Sequence, residues 1–281
     1  TMKIIHRLTH TPQPDQRTDE WYNMRNQLIT ASNIWKVFGT ESSRNQLIYE
    51  KCSVPVNFSS CGRVNTSSPM HYGVKYEPVS TAIYEHMFDT TVGEFGCIRH
   101  ERYDFIGASP DGINVDEKSG LYGRMLEIKN IVNRDITGIP KREYWVQMQI
   151  QMESCNLEEC DFFETRFKEY VGYDEFVQDG TFTRTVDGCM KGIVMYFLEN
   201  TKPLYVYPPI DLTQEEFNVW ETEQMDKHCA LTWVKNIYWF LHEYSCVLVV
   251  RNYAWFGAVV GDIAEMWKII EHERIHGFEH R

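Results

Sequence analysis

The sequence lacks what a membrane protein, a secreted protein or a simple nucleic-acid coat would need. No apolar run reaches the roughly 20 residues that span a bilayer. The start, Met2 to Arg7, has no apolar stretch of leader length, so no secretory signal is expected. The eight cysteines form no C-x-x-C pair and keep no repeating frame. They read as reduced thiols of an intracellular protein, not as a disulfide framework or zinc site. Positive charge is scarce: 28 Lys and Arg stand against 40 Asp and Glu, a net charge of −12. Duplex binders without sequence preference are usually basic. Any phosphate binding must therefore be confined to one local basic face and be salt-sensitive. No repeat, heptad run, low-complexity tract or linker divides the chain. Its 281 residues, 43% hydrophobic and 14% aromatic, read as one domain with a sizeable core.

What is present centres on Ser109-Pro110-Asp111-Gly112, followed by Glu127-Ile128-Lys129. Ile113 to Val115 and Arg124 to Ile131 read as two short strands, with Gly120 and Gly123 in the connection. Residues two apart on a strand share a face, so Glu127 and Lys129 lie side by side while Ile128 points into the core. A hairpin that sets Asp111 opposite Glu127 brings two carboxylates and one ammonium together. Two carboxylates and a backbone carbonyl suit Mg²⁺ or Mn²⁺. Such an ion lowers the pKa of bound water and polarises a phosphodiester. The bland alternative is a surface hairpin with an ordinary Glu/Lys pair.

Three further stretches bear on this site. A helix over 20–28, a second over 29–39 capped by Thr30 or Ser32, and Gly39 as its end would place Arg25 beside free backbone N–H groups, a phosphate pocket. Otherwise Arg25 is a surface ion-pair partner and Ser32 only a cap. Glu77 lies near the start of a helix, with Pro78 in the first turn or at a kink. It either faces the metal site or complements the helix dipole. Residues 143–155 read as a helix whose Gln147 and Gln151 share one face; the alternative is a solvated amphipathic helix.

Together, S-P-D-G and E-I-K resemble the signature of PD-(D/E)XK nucleases. More narrowly they resemble the phage lambda exonuclease family, also called YqaJ-like viral recombinases, in the versions from phages and large DNA viruses. Trp21, Arg25 and Ser32 match the family's W-x-x-x-R and following helix start. Gly73 and Glu77 match its G-x-x-x-E, and Gln147 its active-site glutamine. The resemblance covers roughly residues 19–165; over 166–281 only the order of elements agrees. It implies an α/β fold with a restriction-endonuclease-like core, a mixed central β-sheet flanked by α-helices, and additional C-terminal helices. It implies two Mg²⁺ ions, with Mn²⁺ able to substitute, held by Glu77, Asp111, Glu127 and the Ile128 carbonyl. Asp111, Glu127, Lys129 and Gln147 would be catalytic, and Arg25, Ser32 and Ser109 would bind a 5′-phosphate. The activity implied is a 5′→3′ exonuclease on double-stranded DNA ends in viral recombination, repair or replication. Such enzymes often work beside a single-strand annealing protein, inside a host's cytoplasm or nucleus if viral. Some form trimers around the duplex and others act as monomers. The same site would also serve an endonuclease or an RNase, and a degenerate site would leave a DNA-binding scaffold.

Elsewhere, 1–19 reads as extended, 45–52 as a short helix, and 53–69 as a loop bordering a DNA channel. Strands are expected at 92–106, 158–169, 189–199, 204–207 and 246–250. A helix from Leu212 carries a Thr213/Glu216 capping box, and the last helix runs from Trp255 to His276. The tryptophans of the last third read as core or as a subunit contact.

Overall fold

A computed structural model describes residues 1–53 and 64–281. Part of the loop expected at 53–69 therefore lies outside the described residues. The elements that position the site begin with helices α1 (Met2–His10) and α2 (Asp19–Asn26), strand β1 (Ile29–Thr30), a 3-10 helix (Ile34–Phe38), α3 (Glu41–Cys52) and α4 (Pro69–Phe88). Short strands β2 (Val92–Gly93), β3 (Ile98–Arg99), β4 (Ile106–Ala108) and β5 (Gly112–Asn114) lead to β6 (Met125–Asn130). Then follow α5 (Arg142–Cys155), β7 (Glu159–Glu169), α6 (Tyr173–Gln178), β8 (Lys191–Glu199), β9 (Lys202–Val206), α7 (Gln214–Lys227), β10 (Thr232–Val250) and α8 (Tyr253–His276). Seven strands form one sheet in the order β2-β5-β6-β7-β10-β8-β9, and β1-β4-β3 form a smaller one. The large sheet is mixed: β6 and β7 run parallel, while β5 meets β6, and β10 meets β7, antiparallel.

Strand alternation sorts β6 between two helices. Leu126 and Ile128 pack with Tyr76, Val79 and Ile83 of α4 on one face. Met125 packs with Met148 and Met152 of α5 on the other. Glu127 has the parity of Met125, so it too faces α5. A third cluster joins the 3-10 helix, α3 and α8 through Ile34, Leu47, Ile48 and Ile263.

Several expectations are corrected. Residues 2–10 are helical, because Ile5 and Leu8 share a face and bury against Ile113 and Met152. Residues 29–39 are no α-helix. Ile29–Thr30 pair with Ile106 and Gly107 as a parallel strand, and only a 3-10 turn follows, entered from Asn33. Helix α4 starts at Pro69 under a Ser68 cap and runs through Pro78, which puts Glu77 in mid-helix. The expected strand 92–106 is split into β2 and β3. The strand read at 246–250 is the end of a 19-residue strand. The Thr213/Glu216 capping box forms with both of its bonds.

Candidate active site

The β5–β6 hairpin makes the site. Its register pairs Gly112 with Leu126, so the preceding residue, Asp111, falls level with Glu127. Asp111 Oδ2 accepts from the Ile128 backbone N at 2.7 Å, tying the loop carboxylate to the strand. Glu127 is fully buried. Its Oε1 accepts from Lys129 Nζ, and its Oε2 accepts from Gln151 Nε2 at 2.6 Å. Lys129 Nζ also reaches Gln147 Oε1, at a long 3.4 Å, and lies 4.9 Å from the centre of the Tyr144 ring. Gln149, facing away, clasps Val250 O and Asn252 N.

The electrostatics follow from burying like charges together. Burial pushes the Asp111 carboxyl well above its ordinary value, and Glu127 and Glu77 push it further. Burial pulls the Lys129 ammonium down, but Glu127 and Asp111 more than reverse this and hold it above the usual lysine range. Burial also raises Glu77, against the opposing pull of Arg17.

Asp111, Glu127 and Lys129 are thus brought together, with Glu77 near enough to act on Asp111 but engaged by Arg17, from which its Oε2 accepts at 2.7 Å. Among the described residues, no group of three or more His, Cys, Asp and Glu is arranged to hold a metal ion. The donor set nonetheless fits a hard divalent cation, since the carboxylates of Asp111 and Glu127 stand level across the hairpin and offer hard oxygen donors.

A second cluster adjoins the first. Trp21 Nε1 donates to Ser109 Oγ at 2.9 Å, and Arg25 donates to Ser32 Oγ at 2.9 Å. The Arg25 guanidinium lies 4.2 Å from the centre of the Trp21 ring. Arg25, Ser32 and Ser109 are therefore joined through Trp21. Ser32 is not at an α-helix N-terminus, as the sequence reading expected; it is presented by the turn after β1. Beneath it, buried Lys51 donates to Arg25 O at 2.7 Å. Burial, then Arg25, push the Lys51 ammonium down to about 7.

Sequence reasoning did not single out Lys51, Gln151 as a partner of Glu127, or Arg17. For Gln151 a signal existed: it lies one turn beyond Gln147 on the same helix face. For Lys51 none did, because a lysine in a short polar helix reads as solvated.

Residues 20–158 match the model of the YqaJ-like viral recombinase domain. An uncharacterized protein of Acanthamoeba polyphaga mimivirus is 28% identical over 304 residues, which take in 94% of this chain and 54% of that protein. The chain thus spans about half the length of this curated relative. The alkaline exonuclease of Laribacter hongkongensis superposes with a TM-score of 0.54 at 20% identity, over 92% of this chain and 95% of that one. The same enzyme solved in complex with dAMP gives the same figures. The family read from the motifs and its α/β fold are both borne out.

Proposed function

With residues 20–158 carrying a YqaJ-like viral recombinase domain, we propose that the chain is a divalent-cation-dependent deoxyribonuclease that removes nucleotides from the 5′-phosphorylated ends of duplex DNA. One observation carries the reading. The segment Ser109 to Asp111 gives a hydroxyl to the Trp21–Arg25–Ser32 cluster and a carboxylate to the Glu127–Lys129 cluster. Two residues of chain span at most about 7 Å, no more than roughly two steps of duplex rise at about 3.4 Å each. An end whose phosphate reaches Ser109 would therefore be cut close to its terminus.

Asp111, Glu127 and the Ile128 carbonyl would hold a cation, with Glu77 completing a second position. Bound there, a divalent cation lowers the pKa of water and offsets charge on the phosphodiester. Lys129, held charged by its carboxylate neighbours, is a donor and not a base. It orients the attacking water and steadies charge on the phosphorane. Gln147 accepts from that ammonium and limits its swing. The Arg25 guanidinium, which has further N–H groups beyond the one bonded to Ser32, takes the terminal phosphate.

The wider setting rests on the family resemblance and the mimivirus relative. It is viral DNA recombination, repair or replication inside a host cell, with a single-strand annealing protein as partner and a trimer as one assembly. Among the described residues no helix is long and apolar enough to cross a membrane.

The test uses one linear duplex labelled at the 5′ or 3′ end, bearing phosphate or hydroxyl, in Mg²⁺ or EDTA, beside circular duplex and single-stranded RNA. Mg²⁺-dependent mononucleotide release from 5′-phosphorylated ends, with the circle intact, is expected. Cutting of the circle or the RNA would overturn the end-specific assignment, and binding without cleavage would leave a scaffold.

A further inference from the structure

Arg17 stands in an unusual place for its type. Its φ of 66° lies in the left-handed region that L side chains rarely adopt. Both neighbours are pinned. Gln16 Nε2 donates to Phe95 O at 2.8 Å and to Pro110 O at 3.1 Å. Thr18 caps α2 and donates to Asp15 O at 2.7 Å. Glycine would take this turn without strain. Strained non-glycine backbone persists where the surroundings over-determine it, and it clusters at working sites. The side chain that occupies this turn delivers its guanidinium to Glu77 Oε2 at 2.7 Å, and both partners are partly open to solvent, at 47% and 33% side-chain exposure. The same strap thus touches both sides of the site, the peptide before Asp111 through Gln16 and Glu77 through Arg17.

We propose that Arg17 is a resident cation at the second metal position. It neutralises Glu77 while that position is empty and is displaced when a divalent ion binds there, so it sets how weakly the second ion is held. This rests on the metal-dependent nuclease reading above. The alternative role, a support that aims Glu77 at the metals, predicts the opposite sign. A partly exposed ion pair is worth only about 0–1 kcal/mol, so its exchange for a divalent ion is feasible. Its loss should tighten the second ion on the order of five-fold, the equivalent of about 1 kcal/mol.

The experiment is calorimetric titration of Mn²⁺ into the intact, DNA-free protein. Arg17→Gly removes the cation at a backbone position glycine tolerates, so misfolding is not expected, and the thermal midpoint in EDTA checks this. Arg17→Lys keeps the charge. The expected result is a weaker Mn²⁺ phase tightened about five-fold in Arg17→Gly, near wild type in Arg17→Lys, and lost in Glu77→Gln. A weaker or unchanged phase in Arg17→Gly, with the Asp111→Asn variant showing reduced Mn²⁺ binding, overturns the role of Arg17 alone. Mn²⁺ binding that Asp111→Asn does not alter overturns the metal reading, and this inference with it.

Discussion

Gln151 Nε2 lies 2.6 Å from Glu127 Oε2, and among the described residues it is the only donor to that oxygen of a fully buried carboxylate. Gln147, one turn earlier, addresses Lys129 instead, at 3.4 Å. Two glutamines on one helix face thus serve the two halves of a single ion pair. Losing the donor to a buried carboxylate costs about 1–3 kcal/mol or more, whereas losing a long, partly exposed contact costs within about 0.5 kcal/mol. Gln151→Ala should lower the urea midpoint as well as the cleavage rate. Gln147→Ala should lower the rate alone. Equal midpoints for the two variants would contradict this division.

The raised Asp111 carboxyl makes metal-free stability depend on pH. A group whose folded value lies above its unfolded value of about 3.9 stabilises fully below that value and loses the contribution as pH rises through the folded one. Burial, Glu127 and Glu77 raise it. Asp111→Asn in EDTA should therefore melt about 2 °C or more above wild type at pH 7, with the gap closing near pH 4. Added Mg²⁺ should raise the wild-type midpoint and leave the variant unmoved. A variant that melts below wild type at pH 7 would refute the argument.

Lys51 has the opposite sign. Burial, Arg25 and Arg274 push it down to about 7, against the opposing pull of Glu50 and Cys97; an unfolded lysine titrates near 10.4. Between these values the unfolded chain keeps a proton that the folded chain has released, so stability rises with pH. The difference in melting temperature between wild type and Lys51→Met should grow from pH 7 toward pH 10. A difference that stays flat across this window would show that Lys51 titrates normally.

On the proposed reading, Arg25 would carry the end preference. Hydrogen bonds to charged groups are worth about 1.5–3 kcal/mol, so Arg25→Ala should cut the preference for 5′-phosphate over 5′-hydroxyl ends by about 10- to 100-fold. Arg25→Lys should recover little of it, because the planar fork also lies over Trp21. An unchanged ratio in Arg25→Ala would remove the pocket from the mechanism.

The hairpin was legible because strand alternation and a glycine-bearing turn leave little choice: Glu127 and Lys129 had to share a face, and Asp111 had to meet them. The capping box at Thr213 was legible for the same local reason. What escaped was set by tertiary contact. Residues 2–10 look polar and precede Pro12 and Pro14, and the helix is held down by distant contacts: buried Ile5 and Leu8, and Arg7 donating to Cys155 O. Residues 29–39 carry helical spacing, yet pairing with β4 claims Ile29 and Thr30. The first half of β10 was hidden because Lys235 and Asn236 interrupt its apolar residues and its register shifts between Trp233 and Lys235. Lys51 and Arg17 matter through neighbours far along the chain, which spacing cannot show.

Strand β10 has a consequence for how the chain can be cut. Its later half pairs with β7 from Trp239 to Val250, and its earlier half pairs with β8 from Thr232 to Phe240. It is the splice between the strands that carry the motifs and those that do not. A fragment ending after β7 would bare that strand's whole hydrogen-bonding edge, Cys160 to Phe167 included, the kind of unprotected edge that recruits other chains. The recognisable first half therefore relies on the last third to cover that edge, and a shortened chain would have to keep both.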